Sequence, residues 1–272
     1  GENIIPEPKK LIIKDNVLHQ IKDVTILNSS DNLIYPHNKD EYYLSSKNGN
    51  VVIEGNFIWA KQTLKQIADE NNRIPDVEIH DWSAYPFRGF MHDTGRNFQT
   101  IDMLKETIDL MSLYKINYFH WHLTEDQGWR LEIKKYPLLT EKGQWRKETV
   151  VGSLKSGVYD GTPHGGYYSQ EQVRELVKYA ADRYVTIIPE IELPGHALAA
   201  IACYPELSCG LEDHYETATK WGVFKQVYCP KESTFEFLED VFDEVMELFP
   251  SELIHIGGDE AVKKDWEVCV NC

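Results

Sequence analysis

The sequence predicts an α/β protein, the first half of a (β/α)8 barrel preceded by a small α+β domain. Two observations carry that prediction. From Phe87 onward, short apolar runs alternate with helical stripes, and repeated strand–helix units make parallel strands joined by right-handed crossovers. Each predicted strand also ends in acids, Arg or His: Asp93 and Arg96, then Glu125 and Asp126, then Glu190, Glu192 and His196, then Asp259 and Glu260. Functional groups at every consecutive strand end are the barrel pattern. A doubly wound sheet gathers its site at one switch point, usually behind a Gly-rich phosphate loop, and this sequence has none. Eight units close a barrel and only four are seen here, so the chain is expected to stop about halfway round.

Residues 1–84 form the predicted small domain. Leu11-Ile12-Ile13, Val24-Thr25-Ile26-Leu27 and Val51-Val52-Ile53 are β-branched runs bounded by Asn, Asp, Ser and Gly, which read as strands. One helix follows, with Ile58, Leu64, Ile67 and Ala68 apolar among Lys and Gln. Ile74-Pro75 and Tyr85-Pro86 then bracket an extended linker, since a residue before proline avoids helical angles. The barrel half is predicted over 85–272. Its first strand is 88–93, followed by a helix over 101–114 with Thr100 as N-cap and Ile101, Leu104, Ile108 and Met111 as its stripe. The second strand is 116–123. Ser169 and Gln172 form a capping box opening a helix with Val173, Leu176, Val177 and Ala180 inward. The third strand, 184–191, is nearly all apolar, as a strand buried on both faces should be. Ser233 and Glu236 predict a second capping box, with Leu238, Val241, Phe242, Val245, Leu248 and Phe249 inward behind it. Leu253-Ile254-His255-Ile256 is the fourth strand, ending in Gly257-Gly258-Asp259-Glu260.

Composition narrows the function. In 272 residues, 28 basic against 44 acidic side chains leave a formal charge of -16, and no Lys/Arg run offers a phosphate-binding patch, so nucleic acid is not an expected partner. No stretch is apolar for long enough to span a bilayer. The opening residues have no basic segment followed by an apolar run, so no leader is predicted in this chain, although an exported enzyme fits the acidic balance. Export would join Cys209 to Cys229. Cys269 and Cys272 make a C-x-x-C pair without the second pair that zinc needs, so no metal or other cofactor is predicted.

The chemistry concentrates in Gly257-Gly258-Asp259-Glu260. Two glycines let the backbone bend beside a ligand, and two adjacent acids in a partly dry mouth cannot both ionise freely, which suits a general acid. His120 and His122 point to one strand face. They could bind a metal as in amidohydrolase-type enzymes, or simply hydrogen-bond neighbouring acids. Glu192 and His196 lie four residues apart across a Pro-Gly turn, a spacing suited to a carboxylate–imidazole bond. Arg88, costly to bury unpaired, would find Glu125 and Asp126 on the next strand. Trp121, Trp129, Trp145 and Trp221 fit sugar stacking and ordinary core equally.

At these residues the chain resembles a known family. Phe87–Asp93, Asn117–Arg130, Pro189–His196 and His255–Glu260 closely resemble, in order, the motifs of family 20 glycoside hydrolases, which are β-N-acetylhexosaminidases. The resemblance covers about 85–272, and the first 84 residues look like the small domain preceding the barrel in that family. It implies a retaining exo-enzyme that releases terminal β-linked GlcNAc or GalNAc, with the substrate's acetamido oxygen as nucleophile. Glu260 would then be the acid/base, and Asp259 would orient the acetamido group. Arg88, backed by Glu125, would grip the sugar hydroxyls, with Asp126 beside it, and His196 paired with Glu192 would tune the catalytic acids. The family more often has Asp where Glu125 and Glu192 stand. The expected partner is a glycan with terminal N-acetylhexosamine, and self-association would cover the open barrel edge. The chain alone is expected to be inactive. The alternative is a carbohydrate-binding remnant without turnover.

Overall fold

The computed structural model describes residues 4–35 and 38–272. It is a mixed α/β structure that divides into two compact units. The first takes the chain up to Gly89 together with Thr107–Tyr118 and Arg183–Val185, and the second takes Phe90–Glu106, Phe119–Asp182 and Thr186–Cys272.

In the first unit β1 (Lys10–Gln20), β2 (Asp23–Leu27), β3 (Tyr42–Lys47), β4 (Asn50–Gly55) and β5 (Arg73–Asp81) form a five-stranded sheet, ordered β1-β5-β3-β4-β2. Only the β2–β4 pairing is parallel; β1–β5, β3–β5 and β3–β4 are antiparallel. Leu44 sits opposite both Ile53 and Ile79, and alternate residues of these strands build a core with Val77 and with Trp59 of α1 (Phe57–Ile67). The Asn56 side chain caps that helix at the Trp59 N–H, 2.9 Å away. Two strands exceed the expectation. The β3–β4 hairpin turns on Asn48-Gly49, both at positive φ, which is the Asn-Gly signal of a tight hairpin. β5 occupies what reads as a linker. Its Pro75 is tolerated because it lies past the end of the β3 pairing, opposite an irregular stretch of β1.

The second unit's sheet is ordered β10-β7-β6, from β6 (Gly89–Asp93), β7 (Tyr118–His122) and β10 (Thr186–Glu190). α2 (Ile101–Leu113) follows β6 and buries Leu104, Ile108 and Met111. After β7 come the two-residue strands β8 (Thr124–Glu125) and β9 (Gly128–Trp129), then the short α3 (Leu138–Glu141). α4 (Gln170–Ala181) carries the expected Ser169–Gln172 capping box and buries Val173, Leu176 and Ala180. β10 leads into α5 (Leu198–Cys203), then α6 (Glu232–Leu248) and α7 (Lys264–Val268).

Two local expectations are corrected here. α6 starts earlier than the predicted box, with Lys231 as N-cap and no side-chain cap; Ser233 already lies in the first turn. Phe237 and Thr234 take inner positions, while Leu238 and Phe242 are half-buried. Residues 253–256 are not a regular strand. A single parallel bridge joins His255 to Glu190, and backbone bonds from Ile191 to His255 and from Leu193 to Ile256 extend it. Paired on one side only, Leu253 and Ile256 remain about half exposed, at 53% and 50%. No helix among the described residues is long and apolar enough to cross a membrane.

Candidate active site

The site gathers where β6, β7, β10 and the 253–256 segment end. The turn after β6 brings Arg96 back to Asp93 at 2.6 Å, and its other nitrogen reaches Glu125 at 2.5 Å. His196 is the hub. Its Nδ1 lies 3.1 Å from Glu125 and 3.2 Å from Asp126, and its Nε2 lies 3.3 Å from Glu260 and 3.6 Å from Asp259. Asp126 is fully buried and accepts the Leu198 N–H at 3.0 Å, so the entry to α5 fixes the carboxylate that fixes the imidazole. The backbone at His196 and Glu260 adopts positive φ, 51° and 49°, uncommon for residues with a Cβ. Both ends are turned toward one point at a cost in strain.

Hydrogen bonds donated to Asp126 and then to Glu125 outweigh burial and raise His196 to about 11. The ring is therefore held as a cation at neutral pH, with Nδ1 bonded to Glu125 and Asp126. A folded-state value above the unfolded one means the contribution is complete below about pH 6.5 and is lost as pH climbs toward the folded value. Wild type is therefore expected to exceed His196→Gln in stability most at pH 6, with the gap narrowing by pH 9. Urea unfolding across that range tests it, and a gap that widens with pH would rule out a buried imidazolium.

A second cluster lies beside the first. His120 sits 2.5 Å and His255 2.8 Å from Glu190, with the two rings stacked, and His122 is 3.2 Å from Glu192. Burial opposes charge on His122, but Glu192, Asp93 and Glu190 outweigh it and its pKa rises. Glu190 is held below the usual carboxylate range because three histidines outweigh its burial. Burial, reinforced by Glu190 and Asp259, pushes Glu192 up. Gly257 is needed at this point. At φ 66°, a Cβ there would stand 1.6 Å from a Glu192 oxygen. Gly257→Ala is expected to lower the thermal midpoint, from that clash and from roughly 1–2 kcal/mol of left-handed strain. Adding Glu192→Ala should recover part of the loss, and strictly additive losses in calorimetry would show that the two groups do not meet.

Several pairings differ from the sequence expectation. Arg88 does not pair with Glu125 or Asp126. Its donors go to Asp40 and to the carbonyls of Lys115 and Tyr85, each at 2.7 Å within the first unit. Arg88 precedes β6 and Arg96 follows it; five strand residues span roughly 16 Å, so the arginine after the strand is the one at the acids. His196 pairs with Glu125 and Asp126 rather than Glu192, because the Pro194-Gly195 turn leaves Glu192 beside Gly257 and His122. Asp259 and Glu260 stand in a wetter place than expected, with side chains 65% and 51% exposed. Trp121 and Trp129 are core, while Trp145 and Trp221 are exposed. The predicted Cys209–Cys229 bond is not formed: both are free thiols, gathered with Cys269 and Cys272. Arg130 carries no local signal of its role beyond its place in a motif. It is fully buried, and its guanidinium donates to the carbonyls of Thr94, Gly95, Gln144 and Gly166 at 2.7–3.0 Å, clamping the turn that aims Arg96.

The arrangement combines an arginine held by two carboxylates, an imidazolium and two solvent-facing acids. Among the described residues, the buried Nε2 of His196 and Oε2 of Glu192 have no hydrogen-bond partner. Such a site can grip hydroxyls and move a proton.

Residues 85–272 match the model of glycosyl hydrolase family 20, catalytic domain. The chain is 46% identical over 252 residues to a β-hexosaminidase of Porphyromonas gingivalis, covering 87% of this chain and 31% of that protein. A β-hexosaminidase of Akkermansia muciniphila is 36% identical over 279 residues, covering 99% and 54% respectively. A crystal structure of a β-N-acetylhexosaminidase superposes with a TM-score of 0.88 at 34% identity, over 99% of this chain and 56% of that one. The exo-β-N-acetylglucosaminidase of Vibrio harveyi, in complex with N-acetylglucosamine, gives 0.82 at 31%, over 98% and 48%. The chain thus spans about a third to somewhat over half the length of these relatives.

Proposed function

Because the chain belongs to glycosyl hydrolase family 20, we propose that it supplies the catalytic acids and one wall of a retaining exo-β-N-acetylhexosaminidase active site. The observation that carries this reading is the convergence of Asp259 and Glu260 on the buried His196. Such a site holds a terminal β-linked N-acetylhexosamine, whose acetamido oxygen attacks the anomeric carbon as the glycosidic bond breaks. Glu260 gives its proton to the leaving oxygen and then takes one from water. Asp259 orients the acetamido group and balances the positive charge of the oxazoline-like intermediate. Arg96, in place of Arg88, grips the sugar hydroxyls, and Glu125 and Asp93 hold its guanidinium. Asp126 and Glu125 act through His196, and Glu192 acts through His122 and Gly257. In this reading residues 1–84 are the accessory domain and 85–272 are four units of a (β/α)8 barrel.

The chain alone is expected to turn over a chromogenic N-acetylglucosaminide far more slowly than an intact relative. Substrate assistance needs the acetamido group held bent under the anomeric carbon, and about 1 Å of misplacement costs on the order of 100-fold. Asp259 and Glu260 are too exposed here to impose that bend. A chimera tests the function itself. Residues 85–272 replacing their counterpart in the P. gingivalis enzyme should restore turnover on a GlcNAc disaccharide. A folded chimera that binds N-acetylglucosamine without cleaving the disaccharide would favour the carbohydrate-binding remnant.

A further inference from the structure

Four of the five cysteines meet at one point, far apart in sequence and distinct from the acids. Cys209 follows a 3-10 turn at Pro205–Leu207, Cys229 is fully buried in the stretch leading to α6, and Cys269 and Cys272 follow α7. Their sulfurs all lie within 4.8 Å of one another. Cys272 is 3.4 Å from Cys229 and 3.7 Å from Cys209, and Cys269 is 3.9 Å from Cys229.

From this geometry we propose that Cys209, Cys229, Cys269 and Cys272 form a structural zinc site of four thiolates. A tetrahedral zinc–sulfur shell with bonds of about 2.3 Å places its sulfurs about 3.8 Å apart, and three of the pairs here stand at 3.4, 3.7 and 3.9 Å. The second pair missing from the C-x-x-C motif is supplied by tertiary structure. The spacing does not favour two disulfides. Those would need two exclusive contacts near 2.05 Å, whereas Cys229 approaches both Cys269 and Cys272, and Cys272 approaches Cys209 as well. Cys203, fifth and buried, is outside the group; its thiol donates to the Leu138 carbonyl.

Binding is balanced without redox chemistry: one Zn2+ displaces four thiol protons, giving a tetrathiolate of charge 2−. With all four positions held by protein sulfur, no position is left for water, so the ion is structural. It ties the segment between α5 and α6 to the residues that follow α7. The site stands independently of the catalytic reading.

The test uses the 272-residue chain expressed with zinc and purified without chelator. Elemental analysis should find about one zinc per chain. Iodoacetamide should label none of the four cysteines until EDTA is added without reductant, and then all four. Cys269→Ser should reduce the zinc to none, and Cys203→Ser should retain it. If Cys269→Ser fails to fold, metal content and labelling of wild type decide alone. Zinc-free protein whose cysteines become reactive only after reduction would establish disulfides and overturn the proposal. Thiols that label freely before EDTA, or zinc that survives in folded Cys269→Ser, would also overturn it.

Discussion

Glu260→Gln in the active chimera is expected to lower kcat on a GlcNAc disaccharide by about 10²–10⁴-fold, the usual contribution of a positioned general acid. The substitution keeps shape and removes only the transferable proton. His196, 3.3 Å from the Glu260 carboxylate, is left in place, so KM should change little. The same variant should lose less on a nitrophenyl glycoside in the glycosylation step, because that leaving group departs without a proton. Asp259→Asn should behave differently. Its task is to orient the acetamido group, so its loss should persist whatever the leaving group. Steady-state rates on both substrates separate the two roles. Near-normal cleavage of the disaccharide by Glu260→Gln would remove Glu260 from the mechanism.

Arg130→Met is expected to be the most destabilising single change named here, by at least about 3 kcal/mol, since buried hydrogen bonds to a charged group contribute roughly 1.5–3 kcal/mol each. Methionine fills much of the volume but orphans the carbonyls of Thr94, Gly95, Gln144 and Gly166, and each buried acceptor left unmade has its own cost. Arg130→Lys should rescue only in part, because one ammonium cannot reach four acceptors held by a planar fork. Denaturant unfolding of the chain gives the magnitude. A loss within about 0.5 kcal/mol, the range of ordinary surface changes, would mean that the clamp contributes nothing.

The elements legible beforehand were those with strong local signals. α4 has its capping box and a clean stripe, and α2 keeps the predicted Leu104, Ile108 and Met111 inward. β3 carries a local signal too, Asn48-Gly49 at its hairpin. β5 was hidden by Pro75, which local rules read as a break and which the sheet absorbs where β3 no longer pairs. The 253–256 segment shows the opposite error, a strand pattern that needs neighbours on both sides to become a regular strand.

The sequence by itself determined the alternation of strands and helices, the motifs and the family, since all of these are carried by residues adjacent in the chain. Which side chains meet was decided only by tertiary structure. Glu192 and His196 are four residues apart and have different partners, whereas His196 finds Glu125 and Asp126 seventy or so positions away. Arg96 rather than Arg88 stands at the acids because it follows the strand instead of preceding it. The four cysteines converge from three separate segments. The physical reason is the same in each case. Ion pairs and thiolate shells act over a few ångströms of space, and chain separation sets that distance only within a turn or a strand.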